Sequence, residues 1–182
     1  MVRTSVFRLT IGFLAGLTLL ATETAPPASV VMESARTAAA AQHKSIFLIF
    51  HASWCGWCKK LDQLLETPEI KPIIDKYFVL ARLTVQERDA RKSLNNPDGD
   101  KVMAQTGGRF VGLPFFALLN EEGETIVNSI RPGEGNAAER SIGYPVTPQE
   151  VDWFLVMLKR AAPEMSADEA RVLEQRLRAP KK

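Results

Sequence analysis

Two cysteines three positions apart, in Trp54-Cys55-Gly56-Trp57-Cys58-Lys59, closely follow the run Ser45-Ile46-Phe47-Leu48-Ile49-Phe50. A run this apolar, with β-branched and aromatic members, suits a central strand covered on both faces. The chain then has only a few residues in which to leave that strand and enter a helix, so helices must layer on a sheet. The helix is expected over Cys55 to Glu66. Cys58, Leu61, Leu64 and Leu65 fall on its inner face, and Lys59, Lys60, Asp62 and Gln63 on its outer face.

That placement gives the sulfurs a chemistry. Residues at i and i+3 of a helical turn lie on the same side, so the two sulfurs can meet. Helical Cβ atoms at that spacing are about 5–6 Å apart, whereas a relaxed disulfide wants roughly 3.5–4.5 Å. Closing the bridge needs local adjustment, and the bond is expected to reduce easily. Cys55 sits where unpaired backbone N–H groups and the positive end of the helix dipole favour a thiolate. In such settings cysteine pKa values fall to roughly 3.5–7.5, which makes Cys55 both a nucleophile near neutral pH and a good leaving group. Cys58, one turn further in, is expected to be shielded and to react second.

Other uses of the pair fit less well. A zinc site would have to draw on His43 and His51 at unusual spacing, and covalent haem attachment needs a histidine where Lys59 stands. A purely structural bridge would close too small a loop to stabilise much. With two cysteines in all, a disulfide-stapled scaffold and a four-cysteine zinc site are excluded. No metal and no organic cofactor is implied, because the electrons reside in the cysteine pair. Lys and Arg number 23 against 21 Asp and Glu, a net charge of +2. That near-balance argues against nucleic acid as a partner.

The rest of the chain reads as one alternating α/β domain over residues 30–162, with a helical extension over 163–182. Val30 to Gln42 is Ala-rich at helical spacing. Thr67-Pro68 is expected to open a helix through Asp75, and Phe78 to Val85 to form a strand. Residues 87–108 are polar and turn-rich; they read as an insertion that is either solvated or shapes specificity, with a short helix at Lys101 to Gln105. Phe115 to Leu119 and Thr125 to Ile130 make a hairpin across Glu121-Glu122-Gly123-Glu124. Helices follow over Pro148 to Ala161 and Ser166 to Leu177, the second opened by Ser166 and Glu169 in a capping-box pattern.

The N-terminus is an address. Arg3 and Arg8 precede an apolar run from Leu9 to Ala21, the layout of a secretory signal over residues 1–24, followed by a linker at 25–29. The run is shorter than the roughly 20 residues that span a bilayer, so an uncleaved anchor is the weaker alternative. The mature protein is expected to be periplasmic or secreted, where disulfides persist, and to meet the membrane only through this signal.

With Ile46 to Phe50, the Trp54–Lys59 motif and Gly112-Leu113-Pro114-Phe115-Phe116 in this order, the chain resembles the thioredoxin-like superfamily. Trp54-Cys55-Gly56 with His51-Ala52-Ser53 before it is most similar to members of secretory compartments and to exported bacterial ones. The resemblance implies a thioredoxin fold, a central mixed β-sheet flanked by helices, here with an extra C-terminal helix. It implies a thiol–disulfide oxidoreductase in which Cys55 and Cys58 are catalytic and Pro114 is a cis-proline. Trp54, Trp57, Leu113 and Pro114 would then contact protein thiol or disulfide substrates, with a separate redox partner completing the cycle. One position departs from the pattern: Ile49 stands where thioredoxins bury an acid. The alternative is a redox-inactive module that uses the same fold to hold a partner.

Overall fold

The apolar run forms the strand from which everything else is arranged. In the computed structural model, which describes residues 24–179, α1 (Ala28–Gln42) leads into β1 (Ser45–His51). There follow α2 (Gly56–Leu65), α3 (Lys71–Tyr77), β2 (Phe78–Thr84), a 3-10 turn at Asp89–Leu94 and α4 (Gly99–Gln105). The chain ends with β3 (Phe115–Leu119), β4 (Thr125–Asn128), α5 (Ala137–Arg140), α6 (Pro148–Ala161) and α7 (Ala167–Arg178). The export signal expected over residues 1–24 lies, except for Thr24, outside the described residues.

The strands form one mixed sheet in the order β2-β1-β3-β4. β1 is parallel to β2 and antiparallel to β3, which pairs with β4 in a hairpin. Because strand side chains alternate, β1 serves two cores. Phe47 and Ile49 join Phe116 and Leu118 against α2, α3, α6 and α7, while Ile46, Leu48 and Phe50 join Phe115, Ala117 and Leu119 against α1 and α4. This two-sided burial is the reason the run carries no polar residue from Ile46 to Phe50. The fold is thioredoxin-like, with helices on both faces of the sheet and α7 packed onto α6 through Leu173 and Leu177.

Three stretches differ from the expectation. Thr67-Pro68 opens no helix: the Thr67 hydroxyl donates to the Leu64 carbonyl at 2.8 Å and closes α2 instead. The next helix begins only at Lys71, after a turn that sinks Ile70 into the core. β4 stops at Asn128, two residues short of Ile130: Ser129 N–H still reaches the Phe116 carbonyl of β3 at 2.9 Å, and from there pairing passes to a later segment. Arg131 N–H donates to the Arg140 carbonyl at 3.0 Å, and Ile142 N–H to the Ser129 carbonyl at 2.9 Å. Between those partners lies α5, a single turn held by a reciprocal Asn136–Glu139 capping box, which hydrophobic spacing gives no means of finding.

Candidate active site

Cys55 is the N-cap of α2, not its first residue. Its backbone is extended (φ −80°, ψ 103°), and its Sγ accepts a hydrogen bond from Cys58 N–H at 3.1 Å. A sulfur therefore fills the place usually taken by a capping oxygen, against a helix N-terminus that favours negative charge. Stepping out of helical geometry is the local adjustment that lets the pair close. Cys55 and Cys58 form a disulfide with Cα atoms 5.3 Å apart. Both are nearly covered, and Ala52 and Leu113 pack against them.

Two tryptophans stand open on either side of the disulfide, each anchored at a different flank. Trp54, 48% exposed, donates its indole N–H to the Gln86 carbonyl at 3.0 Å and lies 5.6 Å under the Arg88 guanidinium. Trp57, 49% exposed, stacks on Tyr144 with ring centroids 5.9 Å apart, and Lys60 Nζ sits 4.2 Å from its centroid. The Leu113–Pro114 peptide bond is cis. It directly precedes β3, and among the described residues neither backbone polar group of Leu113 takes part in a hydrogen bond. The structure thus brings together all six residues singled out in the sequence: Trp54, Cys55, Trp57, Cys58, Leu113 and Pro114.

Sequence reasoning missed Glu87. The residue is 4% exposed, and its carboxylate accepts from both Ser53 N–H and Ser53 Oγ–H, the latter at 3.0 Å. Arg91 donates to the same hydroxyl at 2.8 Å. Asn95 receives Glu87 N–H at 2.9 Å, and Asn96 receives Thr84 N–H at 2.6 Å while donating to the Pro26 carbonyl at 2.7 Å. The start of the polar stretch, residues 86–96, is therefore a strap sewn to the loop before Cys55, not a freely solvated excursion. The available signal was the pair Asn95-Asn96, side chains that bond readily to nearby backbone.

His51 ends β1 and is half-buried, with its ring 3.3 Å from Thr84 Oγ1. Burial holds its pKa below the usual 6.5; Asp62 and, less strongly, Glu87 pull it back up, and Arg82 adds to the lowering. His43 caps α1 beyond the opposite end of β1, a strand of seven residues. At about 3.3 Å per residue that separates the two histidines by roughly 20 Å, so the alternative zinc set does not assemble. Ile49 packs into the core with Phe47, so an aliphatic side chain takes the place where the family's acid would stand.

A family described as thioredoxin-like matches residues 29–121, just over half of the chain. The chain belongs to the thioredoxin-like family. Among solved structures, this thioredoxin-like protein is similar to a disulphide isomerase from Xylella fastidiosa Temecula1, at 21% identity and a TM-score of 0.52 over 72% of this chain and 91% of that one. It is also similar to the oxidised C-terminal domain of DsbD from Neisseria meningitidis, at 17% identity and a TM-score of 0.45 over 74% and 99% of the two chains. A thioredoxin from Thermus thermophilus aligns at 18% identity and a TM-score of 0.44, over 78% and 92%. No curated protein matches the sequence. At 21% identity and a TM-score of 0.52 the likeness is one of fold.

Proposed function

We propose that the protein is a thiol–disulfide oxidoreductase acting on protein disulfides or dithiols through Cys55 and Cys58. The observation that carries this reading is the Cys55 sulfur itself, placed at the N-terminus of α2 and bonded both to Cys58 Sγ and to its N–H. In the reduced protein the same N–H and the helix dipole stabilise a Cys55 thiolate. That thiolate attacks one sulfur of a substrate disulfide; a mixed disulfide forms and the other substrate sulfur leaves as a thiolate. Cys58 then loses its proton and attacks Cys55 Sγ. The second substrate sulfur leaves, the Cys55–Cys58 bond forms, and two electrons have passed to the substrate. In the opposite direction a substrate dithiol opens the Cys55–Cys58 bond and is itself oxidised.

The open indoles of Trp54 and Trp57 flank the reacting sulfurs, and the unpaired backbone of Leu113 offers a substrate strand one short ladder beside Pro114. The basic head and apolar run over residues 1–24 support an exported site of action, periplasmic or secreted, where oxidised partners persist. Trapping tests the whole reading. Cys58→Ser should accumulate mixed disulfides through Cys55 that are released by dithiothreitol, whereas Cys55→Ser should accumulate none. Equal capture by both variants would overturn it. Equilibration with glutathione then gives the direction of flow, and N-terminal sequencing of the protein recovered from the periplasm checks removal of residues 1–24.

A further inference from the structure

Three exposed cations are seated on the stretch that holds the disulfide. Arg91 donates to the Ser53 hydroxyl, Arg88 lies over the Trp54 ring, and Lys60 lies over the Trp57 ring. The two arginines come from the 86–96 strap and the lysine from α2, so separate elements supply the charge. Contact with a ring face or a hydroxyl fixes where each charge sits, and little ordering remains to be done on binding. None of the three forms an ion pair with a carboxylate among the described residues. Carboxylates close to them in sequence are engaged elsewhere: Glu87 turns its oxygens to Ser53, and Asp62 is taken by Arg82 at 3.0 Å. Asp89, exposed on the same strap, lies beyond ion-pair distance of all three. The rim of the reactive site is therefore cationic, in a chain whose overall charge is only +2.

The chemistry of this rim says what it attracts. The planar fork of arginine matches a carboxylate, and Arg91 keeps further N–H donors beyond the one given to Ser53. A phosphate-bearing lipid surface would satisfy the charge too, but it carries no sulfur for Cys55 to reach. A protein segment with Asp or Glu near its cysteine supplies both. Each exposed pair contributes little alone, so the effect is one of steering and selection. A cleft rimmed by one sign of charge raises association rates about 10–1,000-fold, and the gain fades with salt.

We propose that Lys60, Arg88 and Arg91 form a cationic collar that selects partner proteins with an acidic segment beside the reacting cysteine. The inference deepens the oxidoreductase reading and rests on it, yet its test needs no redox step. The probe is a short peptide in which serine replaces the reacting cysteine, flanked by aspartates in one version and by asparagines in the other. Titrated into the oxidised protein at about 0.1 M salt, where charges act over about 10 Å, the aspartate peptide should bind about fivefold more tightly. At about 1 M salt, where that reach shrinks to about 3 Å, the two affinities should converge. Arg88→Glu and Lys60→Glu should each bring the ratio at the lower salt close to one. Lys101→Glu, the same charge change beside Leu119 and Gly123 at the far end of β3, should leave the ratio as it was. Equal affinities for the two peptides in the unaltered protein, or a ratio that Lys101→Glu lowers as much as Arg88→Glu does, would overturn the collar. So would binding to phosphatidylglycerol vesicles that Arg88→Glu abolishes while both peptides bind alike, which would hand these cations to a lipid surface. Thiol exchange with the matching disulfide-bonded peptides is read separately. A charge preference in binding without exchange would retain the collar and reject the oxidoreductase reading, and exchange with no charge preference in binding would do the reverse.

Discussion

Glu87 shows how much a single carboxylate can organise. It is buried three residues beyond the end of β2 and satisfies both polar hydrogens of Ser53, two positions before the reactive sulfur. Glu87→Ala would leave the part-buried Ser53 amide without its acceptor, and an unsatisfied buried donor costs about 1–3 kcal/mol at most, so a loss of about 1 kcal/mol is expected. Urea denaturation of that variant should show a loss of this size, with Glu87→Gln losing less because one carbonyl acceptor remains. His51 gives a pH signature with a definite sign. Its folded pKa is held below 6.5, chiefly by burial, so the unfolded chain binds the proton first as pH falls. The stability tied to the neutral ring is therefore complete above 6.5 and declines from there toward the folded pKa. Urea midpoints measured between about pH 7.5 and 5.5 should fall in the unaltered protein, and the fall should be smaller in His51→Gln.

Among the elements, α7 is attached by one apolar stripe and one polar clasp. Leu173 and Leu177 enter the core, while Glu169 accepts from Lys76 Nζ at 2.8 Å and from the Tyr77 hydroxyl at 2.6 Å. The same carboxylate completes the capping box on Ser166. These bonds, Lys76 first, lower its pKa from 4.5 to about 2. The clasp is thus fully formed above 4.5 and is lost as pH falls through about 2. Hydrogen exchange should show α7 amides losing protection in acid ahead of β1 amides. In Glu169→Gln their protection should already be reduced at neutral pH and vary less with acidity. The capping pair Ser166–Glu169 was legible in the sequence because it occupies two fixed positions before an amphipathic run. Its second use, holding α7 against α3, was not: Glu169 and Lys76 are 93 residues apart, and no local pattern encodes that pairing.

Across the molecule, what could be read in advance and what could not divide along the same physical line. β1 and α2 were legible because burial on both faces of a strand leaves an unbroken apolar run and burial on one face of a helix leaves a period, and the cysteine pair was legible from its spacing. The places of Trp54, Trp57 and Leu113-Pro114 beside the cysteine pair were legible through their neighbours in the motifs. The 86–96 strap, the shortened β4 and α5 were not, since each is defined by hydrogen bonds between partners that carry no hydrophobic period. The two cores also make a prediction about cooperativity. They share β1 and β3, whose side chains alternate between them, so neither can melt alone. Phe154→Leu in one core and Phe115→Leu in the other should each move a single unfolding transition by about 1–3 kcal/mol without changing its slope against urea. Two separable transitions in either variant would refute that coupling.

The stretch carrying Gly143 and Tyr144 is moored to the sheet by short-range pairing at one end and runs directly into a helix cap at the other. Its replacement would leave every strand of the sheet in place. A chimera that exchanges this one stretch should therefore keep the four-stranded sheet and the Cys55–Cys58 bridge while changing the surface beside Trp57.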